Sequence, residues 1–268
     1  LERLYAGSLP PGAVALTVDD GFFDFLARAY PVLSAAGVPA TVYASTYYVF
    51  DQKPIFDVAC DYLLWKGQRL GRERVDLPGG LDRFDLSAPG APERGAAQLR
   101  RAAAAEGWSA DRKHECLERL ARAVGADWGA FRGQRMLSLL TPEEIAALDP
   151  RIADVQLHTH RHRMPDDRAL FLREIEDNRN ALARAGRPLA ELRHFCYPSG
   201  VYAAHHLPWL AEAGVVSATT TEPGLASRAS DPLALPRYID TSLTPDVEFD
   251  AWASGVRAVL RRPRRSRG

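Results

Sequence analysis

The stretch GAVALTVDDGF, residues 12–22, decides the fold. An apolar run rich in β-formers ends in two acids and a glycine, which reads as a strand that turns at its carboxyl end. The next stretch, FDFLARAYPVLSAAGV (23–38), has apolar residues at helical spacing and closes at Gly37, in the position of a C′ glycine. PATVYAS (39–45) is a second buried strand. Strand, helix, strand at this spacing is a βαβ unit and calls for a parallel sheet.

Outward from this unit the rhythm breaks over 46–140. FDVACDYLLWKG (56–67) reads as a helix, and RVDLPGGLDRFDLS (74–87) as a hairpin around Pro78, Gly79 and Gly80. PERGAAQLRRAAAAEG (92–107) and DRKHECLERLARAVG (111–125) are charged, Ala-rich helical segments. The segment is expected to be a mostly helical insertion. The α/β alternation resumes at TPEEIAAL (141–148), with a capping-box pattern from Thr141 to Glu144 and Pro142 at the first helical position. Strands are expected in ADVQLHT (153–159), RHFCYPSG (193–200), VVSATTT (215–221) and LALPRYI (233–239). Helices are expected in 168–186, 205–215 and 247–260. The tail RRPRRSRG (261–268) is basic and is expected to be disordered.

Composition narrows the function classes. The chain has 268 residues, 46% apolar and 25% charged, with a formal net charge of zero. That suits a large α/β domain and gives no electrostatic signature of nucleic-acid binding. The three cysteines, Cys60, Cys116 and Cys196, are odd in number and widely spaced, so they form no disulfide framework. No apolar run is long enough for a membrane span and no signal peptide is visible. The compartment stays open between bacterial cytoplasm and cell envelope, and nothing in the sequence sets the oligomeric state.

Ligands of parallel α/β folds bind at the carboxyl ends of strands. Three polar clusters fall there: Asp19-Asp20, His158 to His162, and Tyr197-Pro198-Ser199-Gly200. Alone, DDG is an ordinary turn and HxxxH a common surface pattern; their order at successive strand ends is what points to chemistry. Two histidines and a carboxylate suit a catalytic divalent metal with an open position for water. The i, i+4 spacing is expected to set His158 and His162 on one side of a helical turn, with His160 aimed elsewhere. Of two adjacent acids, one can ligate and the other can act as general base. Cys196 is expected in the core, and His205 and His206 at the surface. Together these parts read as a metal-assisted hydrolase.

The same residues resemble the polysaccharide deacetylase family, carbohydrate esterase family four, also called the NodB homology domain. TVDDGF (17–22) is similar to its first motif, with Val18 where an aromatic is usual. HTHRH (158–162) matches the second, and FCYPSG (195–200) the Y-P-x-G version of the third, found in bacterial exopolysaccharide members. The resemblance spans 12–240 and implies a distorted (β/α) barrel of about seven parallel strands with a divalent metal, zinc first. It implies hydrolysis of N-acetyl, or O-acetyl, groups on an acetylated glycan. Asp19 would be the base, and Asp20, His158 and His162 the metal ligands. Thr159 would orient the loop, and the Tyr197 backbone N–H would bind the oxyanion. Pro198, Ser199 and Gly200 would line the substrate site. An Arg that pairs with the base is expected; of Arg193 and Arg237, Arg237 at a strand end is preferred.

No histidine follows His206 to act as the general acid. Permuted family members place it upstream of the D-D-G strand, so the first strand and its acid His are expected to lie before Leu1. The alternatives to the deacetylase reading are a catalytically impaired barrel that binds glycan or a partner, and a metal amidase for a small non-sugar amide.

Overall fold

A computed structural model describes residues 1–50, 52–78, 83–241 and 243–256. The chain opens with helix α1 (Glu2–Ala6), strand β1 (Leu16–Val18), helix α2 (Tyr30–Ala36) and strand β2 (Ala40–Ala44). Helix α3 (Phe56–Arg69), strands β3 (Arg74–Asp76) and β4 (Arg83–Asp85), and helices α4 (Ala91–Ala105), α5 (Ala110–Val124) and α6 (Trp128–Gly133) follow. Then come α7 (Pro142–Ala147), β5 (Ala153–Leu157), α8 (Arg168–Arg184), β6 (His194–Cys196), α9 (His206–Glu212), β7 (Ser217–Thr219) and α10 (Asp246–Ala253). These elements form two compact units, one of residues 1–21, 30–47 and 142–268, the other of 22–29 and 48–141.

The first unit is built on a parallel sheet of order β1-β2-β5-β6-β7, curled into a half-barrel. β2 (ATVYA) and β5 (ADVQL) are nearly continuous buried runs, as expected of parallel strands covered on both faces. Their register pairs Ala40 with Ala153 and Ala44 with Leu157. The sheet has five strands among the described residues, where about seven were expected. The strand expected in LALPRYI reduces to a single bridge between Thr219 and Leu235. Pro232 and Pro236 lie close on either side of Leu235, and neither has an N–H to extend the ladder. The segment 23–38, expected as one helix, is π-helical over Phe25–Ala29 and α-helical from Tyr30. Among the described residues no helix is long and apolar enough to cross a membrane.

The second unit contains α3 to α6 and the β3–β4 hairpin, whose strands pair Arg74 with Asp85 and Asp76 with Arg83. Residues 79–82, at the expected turn, lie outside the described residues, as do 257–260 of the last expected helix and the tail 261–268. α5 starts at Ser109, whose side chain accepts from the Arg112 N–H, and stops at Gly125, left-handed at φ 73°. Its apolar stripe of Leu117, Leu120, Ala121 and Val124 joins Leu63, Leu64, Leu86 and Leu99 in one buried cluster. Gly67 allows close helix approach there, since a Cβ would lie 2.8 Å from Val124 Cβ.

Leu120 is fully buried, whereas Leu243 is 89% exposed. Leu120→Ala is expected to lower stability by about 2–5 kcal/mol. Leu243→Ala should stay within about 0.5 kcal/mol of the parent. Urea denaturation of the two variants checks both.

Candidate functional site

β1, β5 and β6 end at Val18, Leu157 and Cys196, so the residues that leave the sheet are Asp19, His158 and Tyr197. All three turns carry left-handed backbone. Asp20 has φ 69°, Thr159 59°, His162 51° and Ser199 55°. Asp tolerates this region through its short polar side chain, but a β-branched Thr does not, and such strain marks functional turns. At Gly200 a Cβ would meet Thr221 Oγ1 at 1.9 Å, so only glycine fits that turn.

The HTHRH segment is not the expected helical turn. It is an irregular loop, because hydrogen bonds from outside it hold its backbone. The N–H groups of Thr46 and Tyr47 donate to the His160 carbonyl, and the His160 N–H donates to the Glu174 carbonyl. Thr159 is buried and its hydroxyl accepts the Arg163 N–H, which closes the loop.

The loop brings His158 and His162 together with Asp20. Nε2 of His158 lies 3.2 Å, and Nε2 of His162 3.1 Å, from Asp20 Oδ1. That oxygen is buried and neither contact has hydrogen-bond geometry. His158 is itself buried, and its Nδ1 lies 2.7 Å from the Cys196 carbonyl. A carbonyl only accepts, so Nδ1 carries the proton, and in the neutral ring Nε2 offers a lone pair. Two imidazole nitrogens and a carboxylate oxygen thus converge, and the chemistry of this donor set fits a divalent cation. Burial works against ionisation of Asp20, but the two imidazoles more than offset it and hold the carboxyl below its ordinary value.

Asp19 has the opposite allegiance. Arg237 grips it with both ends of its fork, Nη1 to Oδ1 at 2.8 Å and Nη2 to Oδ2 at 2.5 Å. The guanidinium is fixed in turn by Thr17 Oγ1 at 2.9 Å, the Thr220 carbonyl at 2.8 Å and Cys196 Sγ at 3.0 Å. Burial again opposes ionisation, and Arg237 and His158 outweigh it, so Asp19 too is held below the usual carboxylate range.

Among the described residues two further clusters have metal-ligand residue types. Asp19, His158 and Cys196 lie together, but Arg237 already engages both Asp19 and Cys196. Asp166, His205 and His206 form the other. There His206 Nδ1 accepts the Ala203 N–H, so the neutral ring keeps its proton on Nε2, which faces the Pro165 carbonyl at 3.2 Å. That nitrogen has no lone pair for a cation.

Several expectations are corrected. The Tyr197 N–H is spent on the Thr219 carbonyl at 3.1 Å, where the β6–β7 ladder continues, and so is not free for an oxyanion. Its side chain is buried, with the hydroxyl on the Leu233 carbonyl at 2.8 Å. Pro198 is buried, Gly200 is half-buried, and Ser199 is exposed; of the three, only Ser199 stands fully open to a ligand. His206 is buried, stacked on Phe171, while its neighbour His205 is exposed. Arg193 is exposed at the amino end of β6, remote from the carboxyl ends where Asp19 lies. Cys196 is in the core as expected, yet its sulfur touches Arg237. Of the residues that support Arg237, Thr17 has a sequence signal, since it lies two residues before Asp19 in TVDDGF.

The fold has solved counterparts. The chain is similar to the Streptococcus pyogenes deacetylase PplD in complex with acetate, at 18% identity over 94% of this chain and 75% of that one, TM-score 0.55. It is similar to IcaB from Ammonifex degensii at 17% identity over 94% and 78%, TM-score 0.55. It is also similar to a de-N-acetylase from Aggregatibacter actinomycetemcomitans at 12% identity over 94% and 79%, TM-score 0.54. No family model matches the chain, and no curated protein matches it. The chain therefore has the fold of these solved deacetylases.

About one zinc ion per chain is expected by elemental analysis after loading, and none in the His158→Ala/His162→Ala double variant. Burial disfavours a charged His158, but Cys196 and Asp20 beside it favour one, and its pKa lies well above the ordinary 6.5. A proton on that ring competes with the cation. Zinc affinity should therefore keep rising with pH above 6.5, where an ordinary histidine would have levelled off; chelator competition at several pH values reads this.

Proposed function

We propose that this chain is a metal-dependent hydrolase that removes N-acetyl groups from an amino-sugar glycan. The observation that carries the proposal is the division of labour between two adjacent acids. Asp20 faces two imidazoles, and Asp19 is clamped by Arg237. The similar fold of a solved deacetylase with acetate, the expected product, bound and of a solved de-N-acetylase supports it.

Asp20, His158 and His162 would hold the cation, zinc first among divalent metals. When bound, such an ion lowers the pKa of water from about 15.7 toward about 7 and polarises an acyl oxygen. Asp19 serves as general base and takes the proton of the attacking water. Arg237 keeps that carboxylate ionised and fixes its direction. Water adds to the acetyl carbon, the carbon–nitrogen bond breaks, and the sugar amine leaves with a proton. Among the described residues no histidine is placed to deliver that proton. This favours a second reading, a glycan-binding barrel with impaired catalysis.

Acetate release from N-acetylated amino-sugar oligosaccharides, by zinc-loaded parent and Asp19→Asn, tests both. The expected result is turnover by the parent, a loss of about 10²-fold or more in the variant, and unchanged zinc content. Equal turnover in the variant contradicts the base assignment. A zinc-loaded parent that binds the oligosaccharides without releasing acetate supports the binding barrel, and release from O-acetyl esters or small amides alone moves the substrate class.

A further inference from the structure

The loop that carries both histidines is bent against its own preferences at Thr159 and His162, so something outside it must hold it. Two polar residues on the inward face of α8, Glu174 and Asn178, are both buried, at 1% and 0% exposure. They stand four residues apart, among Phe171, Ile175 and Leu182, so they meet the loop as adjacent points on one stripe.

Asn178 uses its whole amide. Oδ1 accepts the His158 N–H at 2.9 Å, while Nδ2 donates to the Ala44 carbonyl and to Thr46 Oγ1, each at 2.9 Å. The Thr46 hydroxyl, already accepting from Asn178, can give its one proton to His160 Nδ1 at 2.9 Å. Asn178 thereby ties the first histidine of the loop to the end of β2. Glu174 takes the middle. Its carboxylate accepts the Arg161 N–H at 2.8 Å, Arg161 Nη1 at 3.1 Å and Arg163 Nε at 2.7 Å, and its carbonyl accepts the His160 N–H at 3.1 Å.

We infer that Glu174 and Asn178 are positioning residues that clamp the 158–163 loop in its metal-binding shape. The inference rests on the metal-site reading. Neither residue is among the three donors; Asn178 acts through the loop backbone, and Glu174 through the backbone and the Arg161 and Arg163 side chains. Outer-shell partners of this kind typically change metal affinity by about 10–100-fold when removed.

The test uses the whole chain and variants Asn178→Ala, Asn178→Asp and Glu174→Gln, with Asn180→Asp on the exposed side of α8 as control. Zinc affinity by chelator competition should weaken about 10–100-fold in the first three and not in the control. Asn178→Asp, nearly the same shape, should be no milder than Ala, because it turns a carboxylate oxygen toward the Ala44 carbonyl. Amide hydrogen exchange of the metal-free proteins should show protection lost at His158 in the Asn178 variants and at Arg161 in Glu174→Gln, with melting temperature tracking fold. Parent-like exchange across 158–163 and parent-like zinc affinity in folded variants would overturn the inference. Exchange reads the clamp without any metal, so a parent that binds no zinc counts against the metal site alone.

Discussion

A buried carboxylate oxygen facing two imidazole nitrogens is an unstable arrangement unless a positive charge joins it. Asp20 Oδ1 is in that position, with no hydrogen bond of its own. Burying a carboxylate costs several kcal/mol unless opposite charge or hydrogen bonds compensate, and here two imidazoles face Asp20. On the proposed reading a bound cation would compensate here, and the surroundings would keep the three donors aimed. The Cys196 carbonyl fixes the His158 tautomer, Thr159 closes the loop, and α8 braces it from behind. The left-handed backbone at Asp20, Thr159 and His162 belongs to the same two strand ends that supply these donors.

Placing two acids side by side creates a second problem, because their charges repel and either could bind the metal. The chain resolves it by engaging Asp19 elsewhere. Arg237 satisfies both Asp19 oxygens and is itself bonded to Thr17, Thr220 and Cys196, so the fork cannot easily turn away. On the proposed reading this leaves one ionised carboxylate for proton transfer and one for coordination. The same reasoning separates the three clusters of ligand-type residues. Hydrogen bonds at Nδ1 decide this: the Cys196 carbonyl leaves a lone pair on Nε2 of neutral His158, and the Ala203 N–H puts the proton on His206 Nε2.

Much of this was legible in the chain. The βαβ rhythm at 12–45 and the strand-end clusters followed from apolar periodicity and turn residues, which act locally. The preference for Arg237 over Arg193 followed from position at a strand end. What escaped was set by distant partners. The i, i+4 spacing of His158 and His162 suggested a helix, and bonds from Thr46, Tyr47 and Glu174 made it a loop. The Tyr197 N–H was claimed by a neighbouring strand that no motif reveals. His206 was expected at the surface because it starts a helix, yet it is buried and stacked on Phe171. Glu174 and Asn178 did leave a trace, as polar residues on the apolar stripe of an amphipathic helix.

X-ray absorption at the zinc edge of the loaded chain tests the central claim most directly, because it reads ligand elements and distances without substrate. Only nitrogen and oxygen neighbours at about 2.0–2.2 Å are expected, with imidazole scattering from two histidines. A sulfur neighbour at about 2.3 Å would contradict it. It would place the ion on Cys196 with Asp19 and His158, take the proposed base for a ligand, and leave Asp20 without its role.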